Sequence, residues 1–184
     1  MSQTISTQRL RLRSPCPADA PFVQSAMENH EVNKWIKTAP WPYVPGSAES
    51  FINHMLSKIA AGKTYVWAIT DKTTDEFLGL IEYGVKESHK ASRGFWLKQE
   101  AWNKGYMQEA TTATLEYIFT QTPITLVEAF NVQSNAGSRN VKLKNGFKFT
   151  ENRHREPKPG KAQDAVCEYY HLTKADWLTL KQSQ

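Results

Sequence analysis

Between residues 93 and 147 the apolar period of the chain switches from two to 3.6 and back, twice over, and this alternation restricts the fold more than any other feature. Arg93-Gly94-Phe95-Trp96-Leu97 reads as a strand. Residues 105 to about 120 then place Met107, Ala110, Thr114, Tyr117 and Ile118 on one face of a helix. Ile124-Thr125-Leu126-Val127-Glu128-Ala129-Phe130 is rich in strand formers. Asn135 is placed to cap a shorter helix ending near Asn145-Gly146, and Phe147 starts another strand.

The flanking segments continue the mixture. Thr7-Gln8-Arg9-Leu10-Arg11-Leu12-Arg13 alternates leucine with arginine, the pattern of a strand with one buried and one wet face. Pro17-Ala18-Asp19 opens a helix to about Glu28, expected to face Phe22, Val23 and Ala26 inward. Residues 37 to 46 hold too many prolines for a regular element, and their Trp41 and Tyr43 are candidates to line a pocket. Ser47 is placed to cap a helix through about Ala61. Strands at 64–71 and 77–84 flank a hairpin connection, residues 152 to 160 are polar and proline-rich, and 164–172 form a last strand. No repeat or linker divides the chain, so one domain over residues 1–184 is expected, of mixed α/β (α+β) class.

Composition narrows the chemistry. Cys16 and Cys167 are far apart and the five histidines are scattered, which argues for reduced thiols and no metal. The longest apolar runs are strand-length, well short of the roughly 20 residues that span a bilayer, and the N-terminus lacks signal-peptide character, so a cytoplasmic protein is expected. A net charge of +5 favours an anionic ligand. It would also suit a nucleic acid, but no recognition-helix, RNA-stacking or dense basic motif accompanies it.

The most informative stretch runs from Gly94-Phe95-Trp96-Leu97 through Trp102-Asn103-Lys104-Gly105-Tyr106-Met107 to Glu109-Ala110, a strand feeding a turn feeding a helix. Unpaired N–H groups and the dipole at such a helix start suit a pyrophosphate, and Gly105 lets the backbone approach it. A single glycine is a weak signal. Downstream, Asn135, Ser138, Val141, Lys144, Gly146 and Phe147 fill the pattern Asn-x-x-Ser-x-x-Val-x-x-Lys-x-Gly-Phe. Together the two segments resemble motifs A and B of the GNAT acetyltransferases, in particular the RimJ/RimL-type branch, and almost the whole chain follows that pattern. Met107 stands where the family usually has a small residue, and Asn103 where it often has glycine.

The resemblance implies a central mixed, mostly antiparallel twisted sheet of about six or seven strands, helices on both faces, and a splayed parallel pair near 92–98 and 124–131. It implies acetyl-coenzyme A as cosubstrate. Phe95, Trp96 and Leu97 would hold pantetheine, and Trp102, Asn103, Lys104, Gly105, Tyr106 and Met107 the pyrophosphate, with Asn131, Asn135, Ser138 and Lys144 completing the cofactor side. The acceptor would be a primary amine, either a peptide N-terminus or a small molecule, attacking directly through a tetrahedral intermediate in a monomer or homodimer. Ser138 or a tyrosine would protonate the leaving thiolate, and a base or a water chain would take the proton of the amine, Glu82 and Glu128 being the strand carboxylates that are candidates, each equally able to pair with a surface Arg or Lys. A non-enzymatic alternative keeps the coenzyme site but lacks a competent base. Arg153-His154-Arg155 with Lys158 and Lys161 reads as a solvated loop or as an attractor of acidic protein substrates.

Overall fold

The computed structural model describes residues 4–182. Its strands are β1 (Ile5–Ser6), β2 (Leu10–Arg13), β3 (Thr64–Asp71), β4 (Phe77–Glu87), β5 (Lys90–Leu97), β6 (Leu126–Val132), β7 (Lys148–His154) and β8 (Val166–Thr173). Helices are α1 (Ala20–Glu28), α2 (His30–Asn33), α3 (Ser47–Ala60), α4 (Tyr106–Gln121), α5 (Ala136–Lys144) and α6 (Lys174–Gln182). The strands form one sheet in the order β1-β2-β3-β4-β5-β6-β8-β7, antiparallel throughout except for the parallel pair β5–β6. This is the mixed α and β sheet expected, with eight strands in place of six or seven.

Alternation along the strands sends side chains to two cores. Trp67 and Ile69 of β3 join Ile81 and Tyr83 of β4 under α4, with Leu115, Ile118 and Phe119. Val66 and Ala68 turn the other way and meet α1 and α3 through Val23, Ile52 and Met55. Burying both faces supplies the main driving force for the fold. No helix among the described residues is long and apolar enough to cross a membrane. Cys16 and Cys167 are free thiols.

Several boundaries differ from expectation for identifiable reasons. The first long strand starts at Leu10 rather than Thr7, because Thr7 closes a turn: its N–H reaches the Leu10 carbonyl at 2.9 Å and its Oγ1 accepts from the Leu10 N–H at 2.9 Å. That turn returns the chain so that Ile5 pairs with Leu12, adding a strand. Gly46, at φ +83°, precedes α3 in the cap position, and Ser47 is its first helical residue. Phe22 is 55% exposed and stacks on Phe77 at 6.0 Å instead of facing inward. The buried face of α1 is instead Ala20, Val23, Ala26 and Met27, spaced by three and four residues. β7 extends through His154, paired with Val166, where a polar loop was expected to begin at residue 152. α6 was not anticipated. It is mostly polar and is pinned by Trp177 against Phe119, with Thr173 Oγ1 accepting from the Asp176 N–H at 3.1 Å.

Candidate active site

The parallel pair supplies the site's framework. β5 and β6 are in register from Lys90 opposite Leu126 to Arg93 opposite Ala129, and the pairing stops there. β5 nevertheless continues beside β4 to Leu97, and β6 beside β8 to Val132. Each strand keeps its outer partner while the inner edges part, leaving a wedge flanked by residues 94–97 and 130–132. Backbone groups without a ladder partner can be satisfied by a ligand that pairs as a strand does. Gly79 of β4 supports the exit of β5: a Cβ there would lie 2.2 Å from the Trp96 carbonyl oxygen.

At the far end of β5 the chain turns into α4. The Trp102 indole donates to the Leu97 carbonyl at 2.9 Å, which ties the loop back onto the strand end. Asn103 and Gly105 both have positive φ, +59° and +80°. Gly105 occupies the cap position of α4 and no side chain caps that end. The first-turn N–H groups are therefore unclaimed by any side chain among the described residues, the arrangement that binds phosphate. Met107 is buried in the main core, so its side chain leaves the loop open. Trp96 turns away to pack on Phe77 at 5.9 Å, and Lys104 is exposed.

Sequence reasoning missed Arg9 as part of this loop. Its guanidinium donates to the Lys104 carbonyl at 2.9 Å, lies 4.7 Å from the centre of the Tyr106 ring, and pairs with Glu109 at 2.7 Å. Burial alone would raise the Glu109 carboxyl. Hydrogen bonds from Thr7 Oγ1, the Arg9 amide and the Arg9 guanidinium outweigh that and hold it below the ordinary range. The unusual arginine–leucine alternation of the first strand thus ends in a brace for the loop.

Across the wedge, Asn135 caps α5 as expected, its Oδ1 accepting from the Ser138 N–H at 3.0 Å. Ser138 is half-buried. The lysine that meets it is Lys142, one turn further on and 1% exposed, not Lys144, which is exposed. Lys142 Nζ lies 2.7 Å from Ser138 Oγ, 3.1 Å from the Ser138 carbonyl and 2.8 Å from Asn131 Oδ1. The Asn131 side-chain amide donates in turn to the Val132 carbonyl and to Glu168, each at 2.9 Å. Glu168 also accepts from Tyr170 at 2.9 Å and pairs with Arg139 at 2.6 Å, which holds its carboxyl below the usual range. Burial, reinforced by Arg93, pushes the Lys142 ammonium down to about 6.

Arg93, the last residue of β5 paired with β6, points into the same core. It is 4% exposed, its three guanidinium nitrogens have no hydrogen-bond partner among the described residues, and it is held over the Phe147 and Phe95 rings at 4.5 and 5.0 Å. Burial pushes it down to about 10. Period-two reading could have flagged it, since Arg93 shares a strand face with Ala91 and Phe95.

The remaining candidates lie elsewhere. Glu82 is on the opposite sheet face from Tyr83 and α4, paired with Lys58 at 2.6 Å and accepting from Thr64 at 2.9 Å. It stands opposite Gly94, the first residue past the parting of the strands, whose absent Cβ would meet nothing within 4 Å. Glu128 pairs with Lys90 at 3.0 Å. Tyr43 is buried in the α1–α3 core rather than lining a pocket, while Trp41 packs on Gly160 and lies 4.6 Å from His30. Lys161 is not a solvated charge either: it is 7% exposed and donates to the Asn33 carbonyl at 3.0 Å and to its side-chain oxygen. No group of three or more His, Cys, Asp or Glu among the described residues is placed to hold a metal ion.

Known proteins resemble this chain in sequence or in fold. The pattern described as Acetyltransferase (GNAT) domain matches residues 9–148. An uncharacterized N-acetyltransferase, p20 of Bacillus licheniformis, is 28% identical over 149 residues, covering 80% of this chain and 82% of that protein. Among solved structures, the ribosomal-protein-S5-alanine acetyltransferase of Vibrio fischeri superposes with a TM-score of 0.81 at 16% identity, covering 96% of this chain and 99% of that one. RimL, a ribosomal L7/L12 alpha-N-protein acetyltransferase solved with coenzyme A, superposes with a TM-score of 0.80 at 16% identity, over 93% and 98%. With the family pattern spanning both the parted strands and the uncapped helix start, the chain belongs to the GNAT acetyltransferases.

Proposed function

We propose that this protein transfers an acetyl group from acetyl-coenzyme A to a primary amine, a peptide N-terminus or a small molecule, by direct attack without a covalent enzyme intermediate. The observation that carries this reading is the parting of β5 from β6 after Arg93 and Ala129, next to a helix start that no side chain caps. Residue types fit the donor. Backbone groups of Phe95, Trp96 and Leu97 would pair with pantetheine, and those of the loop from residue 102 to 107 would hold the diphosphate. The RimL neighbour was solved with coenzyme A, which is consistent with this use of the wedge. Asn131, Asn135, Ser138 and Lys144 would line the α5 side.

The thioester supplies the activated acyl group, and the protein supplies orientation and proton handling. An amine must lose its proton to attack. Glu82 is the proposed acceptor of that proton, standing beside open space at Gly94 with its carboxylate held by Lys58 and Thr64. A backbone N–H of the 95–97 segment would stabilise the oxyanion, and the Ser138 hydroxyl would protonate the departing thiolate. The whole chain would act as one domain in the cytoplasm.

Mixing the protein with acetyl-coenzyme A and a panel of peptides and small amines, while following free thiol, tests the reading. Amine-dependent thiol release supports it. Coenzyme binding without release across the panel would favour a non-catalytic coenzyme-binding role.

A further inference from the structure

Lys142 is not required by the reaction outlined above, yet the fold buries it and surrounds it with acceptors. Three atoms stand around Nζ: Asn131 Oδ1 at 2.8 Å, the Ser138 carbonyl at 3.1 Å and Ser138 Oγ at 2.7 Å. The first two can only accept. The orientation of the Asn131 amide is settled because its nitrogen donates to Val132 and Glu168, which leaves its oxygen toward the lysine. Ser138 Oγ alone can either accept or donate.

That inventory closes for both protonation states. As an ammonium, Lys142 has three N–H groups for three acceptors, and the Ser138 hydroxyl proton is free to point elsewhere. As a neutral amine it has two N–H groups for the two obligate acceptors, and its lone pair takes the Ser138 O–H. A buried group whose bonds are complete in both states carries no unsatisfied atom in either.

We propose that Lys142 is a positioning residue acting through Ser138: gaining or losing one proton reverses the Nζ–Oγ hydrogen bond and sets whether the serine proton is offered to the leaving thiolate or withheld. This rests on the reading that Ser138 protonates that thiolate. In the step concerned, the serine O–H bond breaks as the thiol S–H bond forms, and the serine oxygen recovers a proton from the Lys142 ammonium. The lysine is left neutral and takes its proton back from solvent.

The surroundings place the change near neutrality. Burial, the Arg93 guanidinium on β5 and, more weakly, Arg139 on α5 favour the neutral amine, while Glu168 on β8 opposes them, the balance lying at about 6. The Tyr170 ring, 5.5 Å away, completes the β8 wall. The uncharged Asn131 is the neighbour from β6.

Two measurements test this. In the free protein, NMR of lysine side chains should show one resonance titrating near pH 6, missing in Lys142→Met and moved to lower pH in Ser138→Ala, because the charge-assisted bond that the ammonium loses is stronger than the neutral one that the amine loses. In turnover with acetyl-coenzyme A and an amine from the active panel, kcat should fall as pH rises through that midpoint. Lys142→Met should lose this limb and about a hundredfold in kcat, and adding Ser138→Ala should cost little more. A lysine titrating with the bulk, a limb that survives in Lys142→Met, or additive losses would overturn this role alone. Absence of thiol release from every amine would overturn the transfer reading and this role together.

Discussion

Lys142 and Arg93 place two basic side chains in a core whose neighbours are Phe95, Phe147 and Tyr170, and desolvation opposes the charged form of each. For Lys142 the sign is definite. Its pKa is lowered from 10.5 to about 6, so the unfolded chain binds the extra proton between those values and stability rises with pH across that window. Lys142→Met removes the cost. The variant should therefore unfold at a higher temperature than the parent, with the gap full at about pH 6 and below and shrinking toward pH 10, as followed by thermal melts. Spacing showed that Ser138 and Lys142 share a helix face, but the recurring signature drew attention to Lys144. Burial decides which lysine turns inward, and burial depends on the strands packed beneath α5. Arg9 was hidden for a related reason: its partner Glu109 lies 100 residues away, and only the sheet brings them together. Arg9→Ala should weaken coenzyme A binding about tenfold by calorimetry while leaving the melting temperature within a few degrees, since exposed ion pairs contribute little to stability.

At the level of elements, the strand and helix sequence from residue 93 onward was readable because each element carries its own period and its own stop, such as Gly146 at φ +79° after α5. Residue pattern alone did not reveal that β5 and β6 run parallel and then part. That expectation came from the resemblance, and the register bears it out. β1 and α6 escaped notice since one is two residues long and the other buries mainly Trp177. Gly79 ties sequence to the wedge most directly. Gly79→Ala would place a methyl group 2.2 Å from the Trp96 carbonyl oxygen and 2.8 Å from the Leu97 Cα. It should destabilise the protein by about 1–3 kcal/mol, the usual range for overpacking, and impair coenzyme binding beyond what stability loss explains, measured by denaturant melts alongside calorimetry.

Over the whole molecule, the wedge parts the sheet at one end between β5 and β6, and the loop at residues 160–162 reaches across to α2 and the residue after it. Lys161 reaches Asn33, the Ala162 N–H donates to the Lys34 carbonyl at 3.0 Å, and His30 Nε2 lies 3.1 Å from the Gly160 carbonyl. Gly160, at φ +71°, has Trp41 so close that a Cβ would lie 2.2 Å from the indole. Gly160→Ala should displace Trp41, giving a shifted tryptophan emission and faster proteolysis in residues 155–165 than in the parent. No local sequence signal joins these segments, which are more than 115 residues apart. The central claim, that parted strands and an uncapped helix start hold a thioester carrier, is tested most directly by hydrogen exchange with and without saturating coenzyme A. Slowed exchange is expected at the amides of residues 103–108 and along 94–97 and 130–132. Unchanged exchange in all three segments would contradict the account.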